Sequence, residues 1–367
     1  MATNRGTWGY RDRFGDRFGR TYFRRFRPGV CSSIGVGTYL GEPTDAVDDD
    51  YREALTLALS SGINMVDSAI NYRCQRSERV VGDVLAATDV DRESVVVATK
   101  GGFLPFDGEK PADPGRYIRQ QYVDTGRVDP AALVRGSHSI SADVIDWMID
   151  RSLSNLGVET IDCYYIHNPE TQLLERDREA VADTLESTFR LLERRRAAGD
   201  IGCYGLATWQ AFRVSPDHDQ FLSLPALLDL ASAAAESAGF DDHGLRVIQL
   251  PFNIQMADAF TEQSQPAPVG RETDDRVSIL EYAHEAGLHV VTSASLGQGA
   301  LTRSVPPAIG AELAGDTPAQ RALNFARSAP GVTSSLVGMA STDHVAENVA
   351  AGTFDPLGAS AFDAVFE

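Results

Sequence analysis

The sequence predicts an α/β protein in which eight strand and helix units close one (β/α)8 barrel. Two patterns lead to that fold. Short apolar runs alternate with longer amphipathic segments from about residue 33 onward, at 33–37, 64–67, 95–100, 163–167, 202–207, 247–252, 290–293 and 335–337. Each run is followed by a helical pattern, at 46–61, 77–87, 141–156, 177–198, 222–238, 278–286, 318–328 and 343–351. Gly62, Gly157 and Gly287 stand just past helix ends, where a residue tolerant of positive φ caps the last turn. Barrels of this kind take about 250 residues, so a chain of 367 residues has room for one barrel with insertions.

In chain order, residues 1–27 are expected as an Arg-rich N-terminal arm. They hold eight arginines against Asp12 and Asp16. Glycines and aromatics interrupt any continuous basic face, which argues for a surface arm or hairpin rather than a nucleic-acid contact. Residues 28–367 read as a single barrel. The stretch 101–140, rich in Gly, Pro and Asp, is too long for an ordinary connection and reads as an insertion hanging over the barrel mouth. It is expected to act as a lid or specificity loop carrying Phe103, Phe106, Tyr117 and Tyr122.

Composition bounds the setting. A formal charge of −19, spread along the chain, predicts a solvated acidic surface and argues against nucleic acid as a partner. No apolar run reaches the length of a membrane span, and the N-terminus lacks the apolar stretch of a signal peptide, so a cytoplasmic location is expected. Four scattered cysteines give neither a zinc-ligand spacing nor a disulfide framework, and no metal is expected. Only Lys100 and Lys110 are lysines among 33 basic residues. Acidic excess with so few lysines looks like the cytoplasmic proteins of extreme halophiles, where molar salt shrinks the Debye length to about 3 Å. The sequence sets no oligomeric state.

Asp67, Lys100 and His167 each end an apolar run, and Tyr72 follows Asp67 by five residues. Barrel topology would gather all four at one rim. The segments SIGVGTYLG, GINMVDSAINYRCQRSERVVGDVL, VVVATKGG, YYIHNPE, VIQLPFN, SLGQGAL and HVAEN, from about residue 33 to 351, together resemble successive blocks of the aldo-keto reductases. The resemblance implies an NAD(P)H-dependent oxidoreductase that interconverts a carbonyl and an alcohol on a small organic substrate. Asp67, Tyr72, Lys100 and His167 would be its catalytic residues. A phenol with an ordinary pKa near 10 exchanges protons poorly at neutral pH, so Tyr72 as donor calls for a neighbouring ammonium that favours phenolate. A compact lysine fits between Tyr72 and Asp67 where a planar guanidinium would not. His167 would then donate a hydrogen bond to the carbonyl oxygen.

The same resemblance implies NADP or NAD as cofactor, bound without a GxGxxG turn. Gln249 matches the residue that holds the nicotinamide carboxamide; Leu296, Gly297 and Gln298 match the pyrophosphate loop; Glu347 and Asn348 match the adenine pair. Thr38, Asp67 and Thr208 complete the cofactor set, and Tyr39, Phe103 and Trp209 would wall the substrate. Departures are visible. Ala207 and Thr208 replace a usual Ser-Asn, Ser293 stands where an aromatic usually stacks on the nicotinamide, Gly338 and Met339 stand for a Lys-Ser pair, and His344 for a basic residue at the 2′-phosphate. Two other function classes remain open from the residues: a nucleotide-binding sensor with little turnover, and a barrel hydrolase or lyase using Asp67 and His167.

Overall fold

The computed structural model describes residues 1–267 and 275–366. Among them, eight parallel strands close a barrel in the order β7-β8-β1-β2-β3-β4-β5-β6. These strands are β1 Ile34–Gly37, β2 Met65–Asp67, β3 Val96–Gly101, β4 Ile161–His167, β5 Ile201–Ala207, β6 Leu245–Pro251, β7 His289–Ser293 and β8 Val332–Gly338. Each overlaps one of the eight apolar runs.

Strand alternation decides what faces the barrel axis. In β3, Val97 joins the layer between sheet and helices, whereas Val96 and Ala98 join the inner cluster. Two positions further, Thr99 points outward and its hydroxyl donates to Glu78 Oε1 at 2.6 Å, which leaves Lys100 inside. The same period sends Met65 and Cys163 inward, with Asp67 and His167 on the same face of β2 and β4 nearer the rim. Register places Gly37 beside Asp67, Lys100 beside Tyr165, and His167 and Gln249 on either side of Ala207. Because every strand is parallel, all of these residues arrive at one end.

The opposite end is closed by residues 1–27. A helix spans Asn4–Arg13 with Thr3 as its N-cap, and strand Phe23–Phe26 pairs antiparallel with Gly29–Ser32. This segment is no free arm. Its interleaved aromatics anchor it, with Tyr10, Tyr22 and Phe26 buried, and the arginines take the remaining faces. Phe26 and Ala2 belong to the inner cluster beneath the strands, and the Ala2 backbone N–H donates to Asp162 Oδ1 at 2.6 Å.

Residues 101–140 fold back on themselves and pack against the rim. Phe103 forms a β-bridge to His138, and Leu104 N donates to Ser137 O at 2.8 Å. Phe106, Tyr117 and Tyr122 make successive edge contacts that end on Trp147 of the helix Ala142–Leu156.

Candidate active site

The C-terminal ends of the strands surround a cavity of about 550 Å³, within the usual span of small-molecule sites. Thr38, Tyr39, Asp67, Tyr72, Phe103, His167, Thr208, Trp209, Gln249, Leu296, Gln298, Glu347 and Asn348 all line it. Lys100 lies beneath the floor at 1% exposure, and Gly297 sits between two lining residues. Phe103 alone of the four insertion aromatics reaches the cavity. The lid expected over the mouth is therefore corrected for Phe106, Tyr117 and Tyr122, whose rings are taken up by packing on the rim.

Lys100 Nζ donates to Asp67 Oδ1 and, at 2.8 Å, to Ser68 O. It stands 4.9 Å from the Tyr72 ring centroid. Asp67 Oδ2 accepts from Gln249 Nε2 at 2.8 Å. Both carboxylate oxygens thus act as acceptors, which is the arrangement of an ionised group. Burial, the largest single influence on each partner, pushes the Asp67 carboxyl up and pulls the Lys100 ammonium down; Asp67 and Tyr72 more than reverse it at Lys100, whose pKa is raised. The lysine therefore remains a cation in a dry setting.

At Tyr72 the balance differs from the sequence expectation. Burial raises the phenol above its ordinary pKa; the Lys100 charge pulls it down, and the net direction is upward. The ammonium offsets desolvation without overcoming it, because Asp67 sits close enough to work against it. In this environment Tyr72 is a protonated phenol beside a cation, a group chemically able to release its proton when charge develops on an acceptor.

The backbone after Tyr72 is strained. Arg73, Cys74 and Gln75 have φ of 46°, 58° and 70°, and none is glycine. A left-handed conformation costs roughly 1–2 kcal/mol per residue for L-amino acids. The Tyr39 ring stands 5.0 Å from Tyr72, and the His167 ring 5.9 Å on another side.

His167 is held neutral: burial first, then the Lys100 charge and His138, drive its pKa well below the ordinary value. A neutral imidazole can donate one N–H to an acceptor in the mouth. Its backbone carbonyl meets His138 Nε2 at 2.8 Å, His138 Nδ1 meets Gln172 Nε2 at 2.7 Å, and the Phe103 ring makes edge contacts with both imidazoles. Gly102 is required beside this contact, since a Cβ there would come within 2.7 Å of His167 O.

The other side of the cavity is built from backbone and small side chains. After β7, Ala294, Gly297, Gln298 and Gly299 all have positive φ, so the segment turns repeatedly. Ser295 is buried and its Oγ has no hydrogen-bond partner. Glu347 accepts from Thr317 Oγ1 at 2.6 Å, and Asn348 is 3% exposed on the same helix, Thr342–Ala351. Thr38 Oγ1 donates to Asp67 O at 3.2 Å, and Thr208 N donates to Gln249 O at 2.8 Å, so both brace the floor. His344 and Gly338 line the cavity, whereas Met339 is buried away from it. Sequence reasoning missed Asn71, Asn168 and Ser295 on the cavity wall. Asn71 lies inside the block containing Tyr72 and could have been named from its place there; Asn168 reaches the mouth through a φ of 48° that no sequence pattern signals.

Residues 33–216 match the family model described as the Aldo/keto reductase family. The chain belongs to this family. It is 32% identical over 147 residues to 6-dehydroglucose reductase of Novosphingobium aromaticivorans, covering 38% of this chain and 39% of that protein. It is 26% identical over 234 residues to 2,5-diketo-D-gluconic acid reductase B of a Corynebacterium species, covering 62% and 66%. The aligned stretches thus span 39% and 66% of the length of these curated relatives. Among solved structures, the holo form of an aldo-keto reductase from Bacillus halodurans superposes with a TM-score of 0.63 at 20% identity, over 94% of this chain and 95% of that one. Glycerol dehydrogenase from Gluconobacter oxydans gives 0.63 at 19% identity, over 95% of each chain. At these identities the likeness shows the barrel fold.

Proposed function

We propose that this aldo/keto reductase family member is an NAD(P)H-dependent oxidoreductase that interconverts a carbonyl and an alcohol on a small organic substrate, with Tyr72 as the proton donor. The observation that carries the reading is the buried Lys100, hydrogen-bonded to Asp67 and set beside the Tyr72 phenol at the floor of the cavity. A charge buried at such cost, beside a phenol that faces the cavity, fits proton transfer better than structural support.

The cavity residues fit a nicotinamide dinucleotide. The turning segment Leu296–Gln298, the unpartnered Ser295 hydroxyl, and the pair Glu347 and Asn348 form one polar side, and Gln249 and Thr208 the other. When bound, such a cofactor supplies the hydride equivalent. The chain does the rest. His167, kept neutral, orients the substrate oxygen by an N–H donor; Tyr72 gives that oxygen its proton; Lys100 stabilises the phenolate left behind; Asp67 keeps Lys100 charged and in place. Tyr39, Phe103 and Trp209 line the mouth and would present an apolar face to the substrate. NADP is favoured, with His344 as the residue nearest a 2′-phosphate role.

A second reading, a nucleotide-binding sensor with little turnover, is favoured by one observation: Ala207 and Ser293 line the cavity where the family usually places a serine and an aromatic. Titration of protein fluorescence with NADPH and NADH at high salt, followed by stopped-flow oxidation of bound NADPH with aldehydes, sugars and quinones, separates the two. Turnover abolished by Tyr72→Phe supports the enzyme; binding without turnover overturns it. We also place the protein in the cytoplasm of a salt-rich cell, on the charge of −19 and the scarcity of lysine. Among the described residues no helix is long and apolar enough to cross a membrane.

A further inference from the structure

The left-handed turn that follows Tyr72 is tied down on both sides. On one side, Arg73 Nε and one terminal nitrogen each donate to Glu42 O at 3.2 Å, the guanidinium pairs with the buried Asp48, and it lies 5.1 Å from the Tyr51 ring centroid. Glu42 lies on the loop that carries Tyr39, between the strand ending at Gly37 and the helix starting at Asp45. On the other side, Gln75 Nε2 donates to Phe106 O at 2.9 Å, and Gly108 N donates to Cys74 O at 2.9 Å. Gln75 Oε1 accepts from Arg151 Nε at 2.7 Å and from Asn155 Nδ2 at 3.2 Å. Gln75 is 3% exposed and stands outside the cavity lining. The insertion is thus fastened to the Cys74 backbone and the Gln75 side chain, two and three residues past the phenol.

We propose that Gln75 is a positioning residue for Tyr72, and that the 106–108 stretch of the insertion acts through it as a backstop setting the phenol against Lys100 and His167. The inference rests on Tyr72 as the proton donor. Its physical basis is that non-glycine residues stay left-handed only while surrounding contacts over-determine them. Remove those contacts and Arg73, Cys74 and Gln75 can relax to right-handed φ, which re-aims the residue just before them. Displacement of a reacting group by about 1 Å costs on the order of 10²-fold in rate.

Two variants separate the contacts. Gln75→Glu keeps acceptors for Arg151 and Asn155 and loses the donor to Phe106 O; Gln75→Ala loses both. Three readouts apply: kcat and KM for carbonyl reduction, NADPH affinity by fluorescence, and the ring 13Cζ resonance of Tyr72 in tyrosine-labelled protein, assigned with Tyr72→Phe. The expected result is a kcat lower by about tenfold in the Glu variant and about 10²-fold in the Ala variant, with NADPH affinity unchanged and the Tyr72 resonance displaced in both. Variants that lose thermal stability yet keep the wild-type kcat and Tyr72 resonance overturn the proposal and leave Gln75 a structural residue. If the wild-type protein binds no nucleotide and reduces no carbonyl, the enzymatic reading falls by itself, while the resonance of cofactor-free protein still decides whether Gln75 sets the phenol.

Discussion

The two ends of this barrel use the same strands to opposite effect. At the N-terminal end the inward positions are Met65, Val96, Ala98, Cys163, Val247 and Val291, sealed from below by Phe26 and Ala2. Nearer the rim the inward positions become Asp67, Lys100, His167 and Gln249. The lower end gains free energy as apolar area leaves water, at about 25 cal/mol per Å². The upper end spends it, since burying each ion costs several kcal/mol that its partner only partly returns. One end of the barrel holds the fold, and the other holds charges that the fold must tolerate.

If that division is right, substitutions at the two ends should separate stability from chemistry. The largest effect belongs to the lower, N-terminal end. Phe26→Ala should cost about 3–5 kcal/mol of unfolding free energy, measured in urea, while the folded fraction keeps its nucleotide affinity. Equal losses of both would break the division.

Buried behind His167 and outside the cavity lining, His138 should make the upper end sensitive to acid. Burial lowers its pKa to about 4 from an ordinary 6.5. The folded state therefore binds fewer protons than the unfolded chain as pH falls below 6.5, and stability present above that value is lost down to about 4. The full difference is about 3 kcal/mol. Unfolding curves of wild type and His138→Gln between those pH values should diverge, with the shallower pH slope in the variant; parallel curves would remove His138 as a source.

Tyr72→Phe should lower turnover by about 10²-fold or more, close to 2.7 kcal/mol, with fold and NADPH binding retained. Lys100→Arg should cost at least about tenfold, or 1.4 kcal/mol, because the guanidinium cannot fit between Asp67 and the phenol. A smaller loss would show that charge alone suffices. The smallest effect concerns the cofactor. With His344 in place of a stronger cation, NADPH should be preferred over NADH by no more than about tenfold, and His344→Arg should widen the gap, since guanidinium binds phosphate in a bidentate fork.

Much of the upper end was legible because its residues are strand-terminal. Hydrophobic runs of fixed period identify the strands, and an acid, an amine and an imidazole that close three of them must meet at one rim once the barrel is known. The aromatic anchoring of residues 1–27 was less legible. Arginines dominate that segment by count, but Tyr10, Tyr22 and Phe26 decide its placement by burial. The insertion misled in the same way: its aromatics suggested a lid, yet Tyr122 found a partner on the rim in Trp147 and Tyr117 packed against Tyr122. Trp147 is not near in sequence, so no local pattern could reveal the choice.

The order Asp67, Tyr72, Lys100, His167 and the eightfold repeat are properties of the chain alone, because strand period and parallel connection leave few ways to arrange them. Three-dimensional packing settled what those residues become. Whether Tyr72 is raised or lowered in pKa depends on a balance between burial and two nearby charges, and whether Arg73 to Gln75 hold a left-handed turn depends on contacts from Glu42, Phe106 and Arg151. Both are sums over neighbours distant in sequence, and such sums exist only once the chain has folded.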